Sequence, residues 1–232
     1  MKLVKHYDFT KMETLHPDWN IVVGEKWANH ELQQYVLSKN NLYFDNGLVL
    51  KGTLENDIIK SARLNTKDNF KLKFGKVDII AKVPSGKGTW PAIWMMPQEN
   101  KYGHWPKSGE IDIMEYAANK LDELFFCIHT EKYNHKHKEQ YYCSKIFPNI
   151  ADDFHKFSLD WKENEITYYV DDVQIARYIR GENNKDTSWE GWPFNEDYFL
   201  ILNLAIGGMF GGQVDMDCLP QKFIIKDIKV YQ

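Results

Sequence analysis

The sequence predicts an all-β protein built as one sandwich or barrel. Short apolar or alternating runs recur between turn signals along the 232 residues, and helical periodicity over a window of about 11 residues is hard to find. No repeat, low-complexity tract or linker divides the chain, so we expect one domain over residues 1–232. Many short strands without long helical segments are typical of a β-sandwich or β-barrel.

Four segments carry the strand prediction in chain order. Residues 70–84 alternate apolar and polar side chains, as a strand with one buried face does. Residues 166–178 predict a hairpin that turns at 171–172, because the two aspartates there tolerate turn geometry. Residues 198–208 are nearly all apolar, as expected for a central strand covered on both faces. Residues 222–232 predict a closing strand with polar residues mixed in.

Composition and charge exclude several classes of partner. The net charge of -4 and the pI of about 6.1 provide no basic field for nucleic acid or an anionic membrane. No apolar run is long enough for a transmembrane helix. The first ten residues lack the apolar region of a signal peptide, so the compartment stays open between the cytoplasm and export with a leader removed. Cys127, Cys143 and Cys218 lack zinc-site spacing, and three unpaired thiols are favoured over one disulfide.

The stretch SGEIDIMEY at residues 108–116 places three carboxylates within six residues. Regular alternation would put Glu110 and Asp112 on one strand face and bury Glu115 on the other. A buried, unpaired carboxylate costs several kcal/mol. A β-bulge at residues 113–114 would return Glu115 to the face of the other two acids. The sequence therefore favours a bulged strand or a loop.

Three carboxylates on one face suit the hydrolysis of a glycosidic bond with retention. Crowding raises at least one pKa, so one carboxylate can attack the anomeric carbon while a protonated one donates to the leaving oxygen. Such carboxyl groups lie about 5–5.5 Å apart. Glu110 and Glu115 would approach this separation only on a concave sheet, with Asp112 between them hydrogen-bonding one glutamate. A calcium site or a solvated acidic edge is the alternative, against which the interleaved isoleucines and methionine argue.

These residues resemble the signature of glycoside hydrolase family 16. The resemblance rests on GEIDIMEY, GTWPAIWMMP (88–97) and LNLAIGG (202–208), and it extends over most of the chain through 28–35, 61–66, 153–172 and 227–232. The two residues between Asp112 and Glu115 are similar to the form found in laminarinases, agarases and carrageenases. Lichenases and xyloglucan transglycosylases usually have one residue there.

The resemblance implies a concanavalin-like β-jelly roll of two curved antiparallel sheets with an open cleft on the concave face. It implies that Glu110 is the nucleophile, Glu115 the acid/base and Asp112 the residue that tunes the nucleophile. The implied function is that of a retaining endo-β-glucanase, monomeric, that cuts internal β-1,3 bonds of laminarin or mixed-linkage glucan. A hydrolase of agar-type or carrageenan-type galactans, and a non-catalytic β-glucan-binding module, are the alternatives.

Seven further residues are expected to bind sugar: Asn29, Arg63, Trp90, Trp94, Trp105, His129 and Asn203. The even spacing of Trp90 and Trp94 puts both on one strand face, where indoles stack on sugar or fill the core. The resemblance favours a sugar platform for Trp94, and it implies sugar contacts for Asn29, Arg63 and His129. Trp105 precedes the acids on a loop, where binding groups concentrate. Asn203 interrupts an apolar run, and the cleft would supply its hydrogen-bond partners.

No cofactor is expected for catalysis, but the resemblance implies one structural calcium ion on the convex side. Its expected ligands are Asp227, Asp8 and the carbonyl of Gly47. The Lys-rich loop at 129–140 carries three histidines and is predicted to be a solvated loop rather than a metal site. The segment GGMFGG (207–212) stands where laminarinases commonly read GGNWGG, so the sugar contact at Met209 and Phe210, and with it the linkage preference, stays open.

Overall fold

A computed structural model describes residues 1–139, 141–182 and 187–232, and nearly all of its regular structure is β-strand. In chain order the strands are β1 (Leu3–Asp8), β2 (Asn20–Ile21), β3 (Gln34–Tyr35), β4 (Leu42–Phe44), β5 (Leu48–Glu55), β6 (Ile58–Ser61), β7 (Arg63–Asn65), β8 (Gly75–Lys82), β9 (Thr89–Pro97), β10 (Glu110–Tyr116), β11 (Glu123–His129), β12 (Tyr141–Ile146), β13 (His155–Lys162), β14 (Glu165–Val170), β15 (Val173–Ile179), β16 (Tyr198–Ile206) and β17 (Gln221–Tyr231). The described helices are short: one α-helical turn, α1 (Gly208–Gly211), and two 3₁₀ turns at Ala28–His30 and Met216–Cys218. None of them is long and apolar enough to cross a membrane.

The strands form two sheets. The ten-stranded sheet has the order β15-β14-β13-β8-β17-β5-β6-β3, with β1 added on β17 and β4 on β5. The seven-stranded sheet has the order β12-β11-β10-β9-β16-β7-β2. Neighbouring strands pair antiparallel except β3 with β6, which pair parallel. The two sheets enclose one apolar core, and the predicted all-β jelly-roll sandwich is confirmed.

Three of the four strand predictions hold, although β16 ends at Ile206 rather than at residue 208. All nine residues of β16 are buried, as expected for a central strand with both faces covered. The β14–β15 hairpin turns at Asp171 and Asp172, whose φ angles of 50° and 66° are those of a tight hairpin turn. The final strand, β17, lies in the middle of the larger sheet between β8 and the pair β1 and β5.

The prediction of a strand over residues 70–84 is wrong for its first part. Strand β8 begins only at Gly75, because the backbone turns there, with φ 58° at Phe74 and 115° at Gly75. A Cβ at Gly75 would lie 2.1 Å from the carbonyl oxygen of Tyr231, so only glycine permits this close approach. Within β8 the predicted alternation buries Val77 and Ile79. The three cysteines are free.

Candidate active site

Strand β10 carries the predicted bulge. Against β11, Asp112 pairs with Cys127 and Glu115 with Phe125, so two residues of β10 oppose a single residue of β11. The register against β9 shifts at the same place, between Asp112 and Met114. The extra residue restores Glu115 to the face of Asp112, and the intervening apolar side chains are fully buried in the core.

The acids lie in a cleft of about 510 Å³ on the concave face of the seven-stranded sheet. Its lining is rich in indoles and in charged side chains: Trp27, Ala28, Asn29, Glu31, Arg63, Trp90, Ala92, Trp94, Met96, Trp105, Glu110, Asp112, Glu115, His135, Lys136 and Asn203. Flat aromatic faces among carboxylates and amides are the surface that a sugar ring requires, apolar on its faces and polar at its edges.

The three carboxyl groups approach one another closely. An oxygen of Asp112 lies within 4.8 Å of an oxygen of Glu110 and within 4.8 Å of an oxygen of Glu115. Asp112 and Glu110 share a side-chain hydrogen bond, which requires a proton on one of them. The side chains of Glu110 and Asp112 are 17% and 4% exposed. The separation of about 5–6 Å between the two glutamates stays a prediction.

Burial and mutual repulsion raise the pKa values of this group of acids. Burial raises the pKa of Glu110 well above its usual range, and the charge of Asp112 adds to the effect. Burial, followed by the charge of Glu115, does the same to the pKa of Asp112. Burial also raises the pKa of Glu115, while nearby His129 acts in the opposite direction. A carboxyl group whose pKa is raised is suited to donate a proton, which is one of the two roles that glycoside hydrolysis requires.

Two donors hold Glu115. The indole Nε1 of Trp90 donates to its Oε1 over 3.1 Å, and the thiol of Cys127 hydrogen-bonds the same carboxyl. Trp90 is 8% exposed and its ring packs on Phe210 with centroids 5.1 Å apart. Trp90 therefore lines the cleft, as predicted, and also fixes the position of a carboxylate.

His129 stands beside the other two acids. It pairs with Glu110 across β10 and β11, and its Nε2 lies 3.3 Å from Oδ2 of Asp112 and 3.8 Å from Oε1 of Glu110. The side chain is buried. In the described chain the Oδ2 of Asp112 has no hydrogen-bond partner, although it faces this imidazole.

Arg63 and Trp94 form a stacked wall of the cleft. The guanidinium of Arg63 lies between two indoles, 5.0 Å from the ring of Trp27 and 4.9 Å from that of Trp94. Trp94 Nε1 donates to Oδ1 of Asn203 over 2.7 Å, and Asn203 Nδ2 donates to the hydroxyl of Tyr35 over 3.1 Å. Asn203 thus has the cleft partners that its apolar strand could not supply.

A short turn brings Asn29 to the cleft. The residue belongs to the 3₁₀ turn Ala28–His30 and has a φ of 59°, a conformation that asparagine tolerates. Its carbonyl oxygen approaches Gly208 so closely that a Cβ there would lie 2.8 Å away. The position of Asn29 therefore depends on the glycines of segment 207–212.

Trp105 lies in the cleft, and the loop after β11 reaches over it. The ring of His135 lies 5.1 Å from that of Trp105, and Lys136 Nζ lies 4.8 Å from the same indole. Both loop residues are exposed, as expected of a solvated loop, and they also line the cleft, which was not predicted. Burial lowers the pKa of His135.

Segment 207–212 contributes no side chain to the cleft lining. Met209 is 74% exposed at the rim. Phe210 packs between Trp90 and Phe125, with centroid distances of 5.1 and 4.9 Å. Phe210, whose role the sequence left open, therefore contacts two aromatic side chains of the protein.

The expected calcium ligands converge on the larger sheet. Asp8 pairs with Asp227 across β1 and β17, and Gly47 precedes β5, whose first residue pairs with Ile225. Basic side chains already contact both carboxylates: Lys11 Nζ lies 2.7 Å from Asp8, and Asp227 is 2.6 Å from an imidazole nitrogen of His6. The hydrogen bond from Lys11 lowers the pKa of Asp8 to about 2.

Several site residues were missed by reading the sequence. Glu31, inside a segment that the resemblance covers, is a fourth acid of the cleft, and burial raises its pKa. Trp27 stacks on Arg63, and Cys127 touches the acids. Counting back along β11 from His129 would have found Cys127, because residues two apart share a strand face.

Comparisons with known proteins agree on one family. The family model described as "Glycosyl hydrolases family 16" matches residues 28–212. A curated "Beta-glucanase" of Rhodothermus marinus is 36% identical over 225 residues, covering 91% of this chain and 77% of that protein. The solved laminarinase of Rhodothermus marinus superposes with a TM-score of 0.94 at 34% identity, covering 100% and 97% of the two chains. A solved "non-specific endo-beta-1,3(4)-glucanase from family GH16" has a TM-score of 0.90 at 33% identity, covering 100% and 91%.

Proposed function

This chain belongs to glycosyl hydrolase family 16, and on that premise we propose that Glu110, Asp112 and Glu115 carry its reaction. The protein is a glycoside hydrolase that cleaves internal bonds of β-1,3(4)-glucans with retention. The observation that carries the residue assignment is the β-bulge, which puts three acids of one strand at the floor of an indole-lined cleft.

The first displacement uses Glu110 as the nucleophile. For this step the proton shared between Asp112 and Glu110 must lie on Asp112, because only an ionised Glu110 carboxylate can attack the anomeric carbon. Glu115, whose pKa is raised by burial, donates its proton to the leaving glycosidic oxygen. The bond from the anomeric carbon to that oxygen breaks as the glycosyl–Glu110 ester forms.

The second displacement returns the enzyme to its starting state. Glu115, now ionised, takes a proton from water, and the resulting hydroxide attacks the anomeric carbon from the side opposite the ester. The Glu110 carboxylate leaves and recovers its hydrogen bond from Asp112. His129 beside both acids stabilises the negative charge that returns to them.

We assign sugar binding to the tryptophan, arginine and asparagine side chains that line the cleft. Trp94, Trp105, Arg63 and Asn203 line the cleft, where indoles can pack on sugar rings and the guanidinium and amide can donate hydrogen bonds to hydroxyls. Asn29 closes one rim. We assign a β-glucan chain to this surface and expect a monomer to act on it, which size-exclusion chromatography tests.

A substrate screen tests the assignment. Release of reducing ends should be observed on laminarin, barley β-glucan and lichenan, with products of mixed size as an endo-acting enzyme gives. Proton NMR of the first product should show the β anomer, and an initial α anomer would exclude retention. Agarose and a sulfated galactan belong in the screen, because Lys136 at the cleft is a cation that anionic sugars would favour.

Two matched glutamine variants separate catalysis from binding. Glu110→Gln should lower kcat at least about 1,000-fold while laminari-oligosaccharides still bind, because only the nucleophile is lost. Glu31→Gln removes a cleft acid that lies off β10 and should keep measurable hydrolysis. Turnover of Glu110→Gln at the level of the unmodified enzyme contradicts the nucleophile assignment.

Catalysis requires no cofactor, and a structural calcium ion is a separate proposal. The donors fit a hard cation in type, with the carboxylates of Asp8 and Asp227 and the carbonyl of Gly47, and the ion would lock β1 and β5 onto β17. Calcium would have to displace Lys11 and His6 from the carboxylates. Thermal unfolding with calcium and with EDTA tests this: we expect a higher Tm with calcium, and equal values defeat the proposal.

A further inference from the structure

Two adjacent strands place five metal-ligand side chains together at the cleft floor. Besides its three acids, β10 faces Cys127 and His129 of β11, which lie two residues apart and so share one strand face. Ligand atoms of Asp112, Glu115 and Cys127 all lie within 4.8 Å of one another. A second such group joins Glu110, Asp112 and His129, so that Asp112 belongs to both.

The floor has an unsatisfied acceptor and three neighbouring carboxyl groups. Asp112 is 3% exposed, and within the described chain its Oδ2 accepts no hydrogen bond. The only described basic side chain at ion-pair distance from the three acids is His129. Such a place favours a divalent cation.

The donor types determine which cation fits. Calcium and magnesium prefer oxygen ligands alone, whereas thiolate, imidazole and carboxylate together suit zinc. We propose that the floor of the cleft is a binding site for a zinc-type divalent cation, held by Cys127, Asp112 and Glu115, and that its occupation switches hydrolysis off.

The ligand atoms of Asp112, Glu115 and Cys127 lie close enough together to bind such an ion. Zinc bonds of about 2.0–2.3 Å hold tetrahedral ligand atoms about 3.5 Å apart. The observed group, with no pair beyond 4.8 Å, needs to contract by no more than about 1.3 Å, which side-chain rotation supplies. Binding releases to solvent the thiol proton of Cys127 and any proton held by the ligating carboxyls of Asp112 and Glu115, and it forms a thiolate–metal bond without any redox change.

Occupation blocks the reaction because the ion takes the lone pairs that the reaction needs. With Glu115 bound to a metal, no proton is available for the leaving oxygen. This consequence rests on the proposed role of Glu115, whereas binding of the metal does not.

Cobalt(II) reports the site without an activity assay. Added to the intact protein in place of zinc, it should give a thiolate-to-cobalt charge-transfer absorption. That absorption should be lost in Cys127→Ser and kept in Cys143→Ser, whose thiol lies on β12 outside the cleft. Absence of the absorption from the unmodified protein, or its survival in Cys127→Ser, overturns the proposal.

Zinc inhibition of laminarin hydrolysis is the second readout. Zinc chloride should inhibit, EDTA should restore turnover, and the half-inhibitory concentration should rise at least about tenfold in Cys127→Ser, since even loss of an outer-shell partner costs ~10–100-fold in metal affinity. Each variant is compared with its own turnover without zinc. Equal zinc sensitivity of Cys127→Ser and the unmodified enzyme overturns the proposal. If the unmodified protein fails to hydrolyse laminarin, the proposed function fails, and the cobalt absorption still decides the metal site.

Discussion

Replacing Trp90 by phenylalanine tests whether one indole N–H sets the protonation of Glu115. The N–H donates to Glu115 Oε1 over 3.1 Å, from a ring that is 8% exposed. A hydrogen bond to a charged group contributes about 1.5–3 kcal/mol, and 1.36 kcal/mol corresponds to about one pH unit. Because Glu115 is only partly buried, water replaces part of the lost bond, and we take the lower end of that range.

The direction of the shift in the pH profile follows from the role of the Glu115 proton. Glu115 must be protonated to serve the leaving oxygen, so activity falls as pH rises through its pKa. Burial raises that pKa, and the hydrogen bond from Trp90 opposes the rise by stabilising the carboxylate. Trp90→Phe should therefore keep Glu115 protonated to higher pH. The alkaline limb of kcat/KM should move upward by about one pH unit.

The assay is a pH profile of kcat/KM for laminarin, and Trp94→Phe is the matched control. Trp94 lies on the same strand, but its N–H donates to the amide of Asn203 rather than to a carboxylate. Its loss should lower kcat/KM at all pH values without moving the limb. An unchanged or lowered limb in Trp90→Phe, or an equal shift in Trp94→Phe, would refute the reasoning.

Three further substitutions test the walls of the cleft. Phe210→Ala empties a half-buried aromatic site and should cost about 2 kcal/mol of unfolding free energy, measured by urea denaturation, together with a lower kcat. Tyr35→Phe removes the hydroxyl that accepts from Asn203 and should cost about 1–3 kcal/mol in the same assay; no loss would mean that water replaces it. Lys136→Ala should raise KM about twofold to fivefold at constant kcat, whereas Lys138→Ala, outside the cleft lining, should not.

The sequence predicts the fold and the acids for the same physical reason, which is strand alternation. A regular strand would bury the Glu115 carboxylate without a partner, which costs several kcal/mol, so the sequence predicts a bulge, and β10 has one. The isolated Asn203 likewise predicts its polar surroundings, because a buried amide needs partners. Continuous apolar character correctly places residues 198–206 at the centre of a sheet.

The remaining site residues depend on pairing register and loop path, which alternation does not specify. Cys127 becomes a neighbour of the acids only once β11 is aligned with β10. The loop after β11 turns back over Trp105, which brings His135 and Lys136 to the cleft. The polar, Lys-rich sequence of this loop does not indicate the path that its backbone takes. Residues 70–74 do not form a strand, because the backbone turns at Gly75, where it packs against the carbonyl oxygen of Tyr231. In the sequence Gly75 interrupts the alternating pattern at only one position.

The bulge does more than move one acid to the other face, because it also selects the aromatic wall that holds that acid. With the extra residue, Glu115 pairs with Phe125 instead of Leu124. The ring of Phe125 packs edge-on against Phe210, Phe210 packs on Trp90, and Trp90 donates back to Glu115. These contacts form a closed series that starts and ends at Glu115, the proposed acid/base. An aromatic ring without a polar group suffices at Phe210, because its partners there are two other rings. We therefore expect the phenylalanine of GGMFGG to support the proposed acid/base through Trp90 rather than to contact sugar.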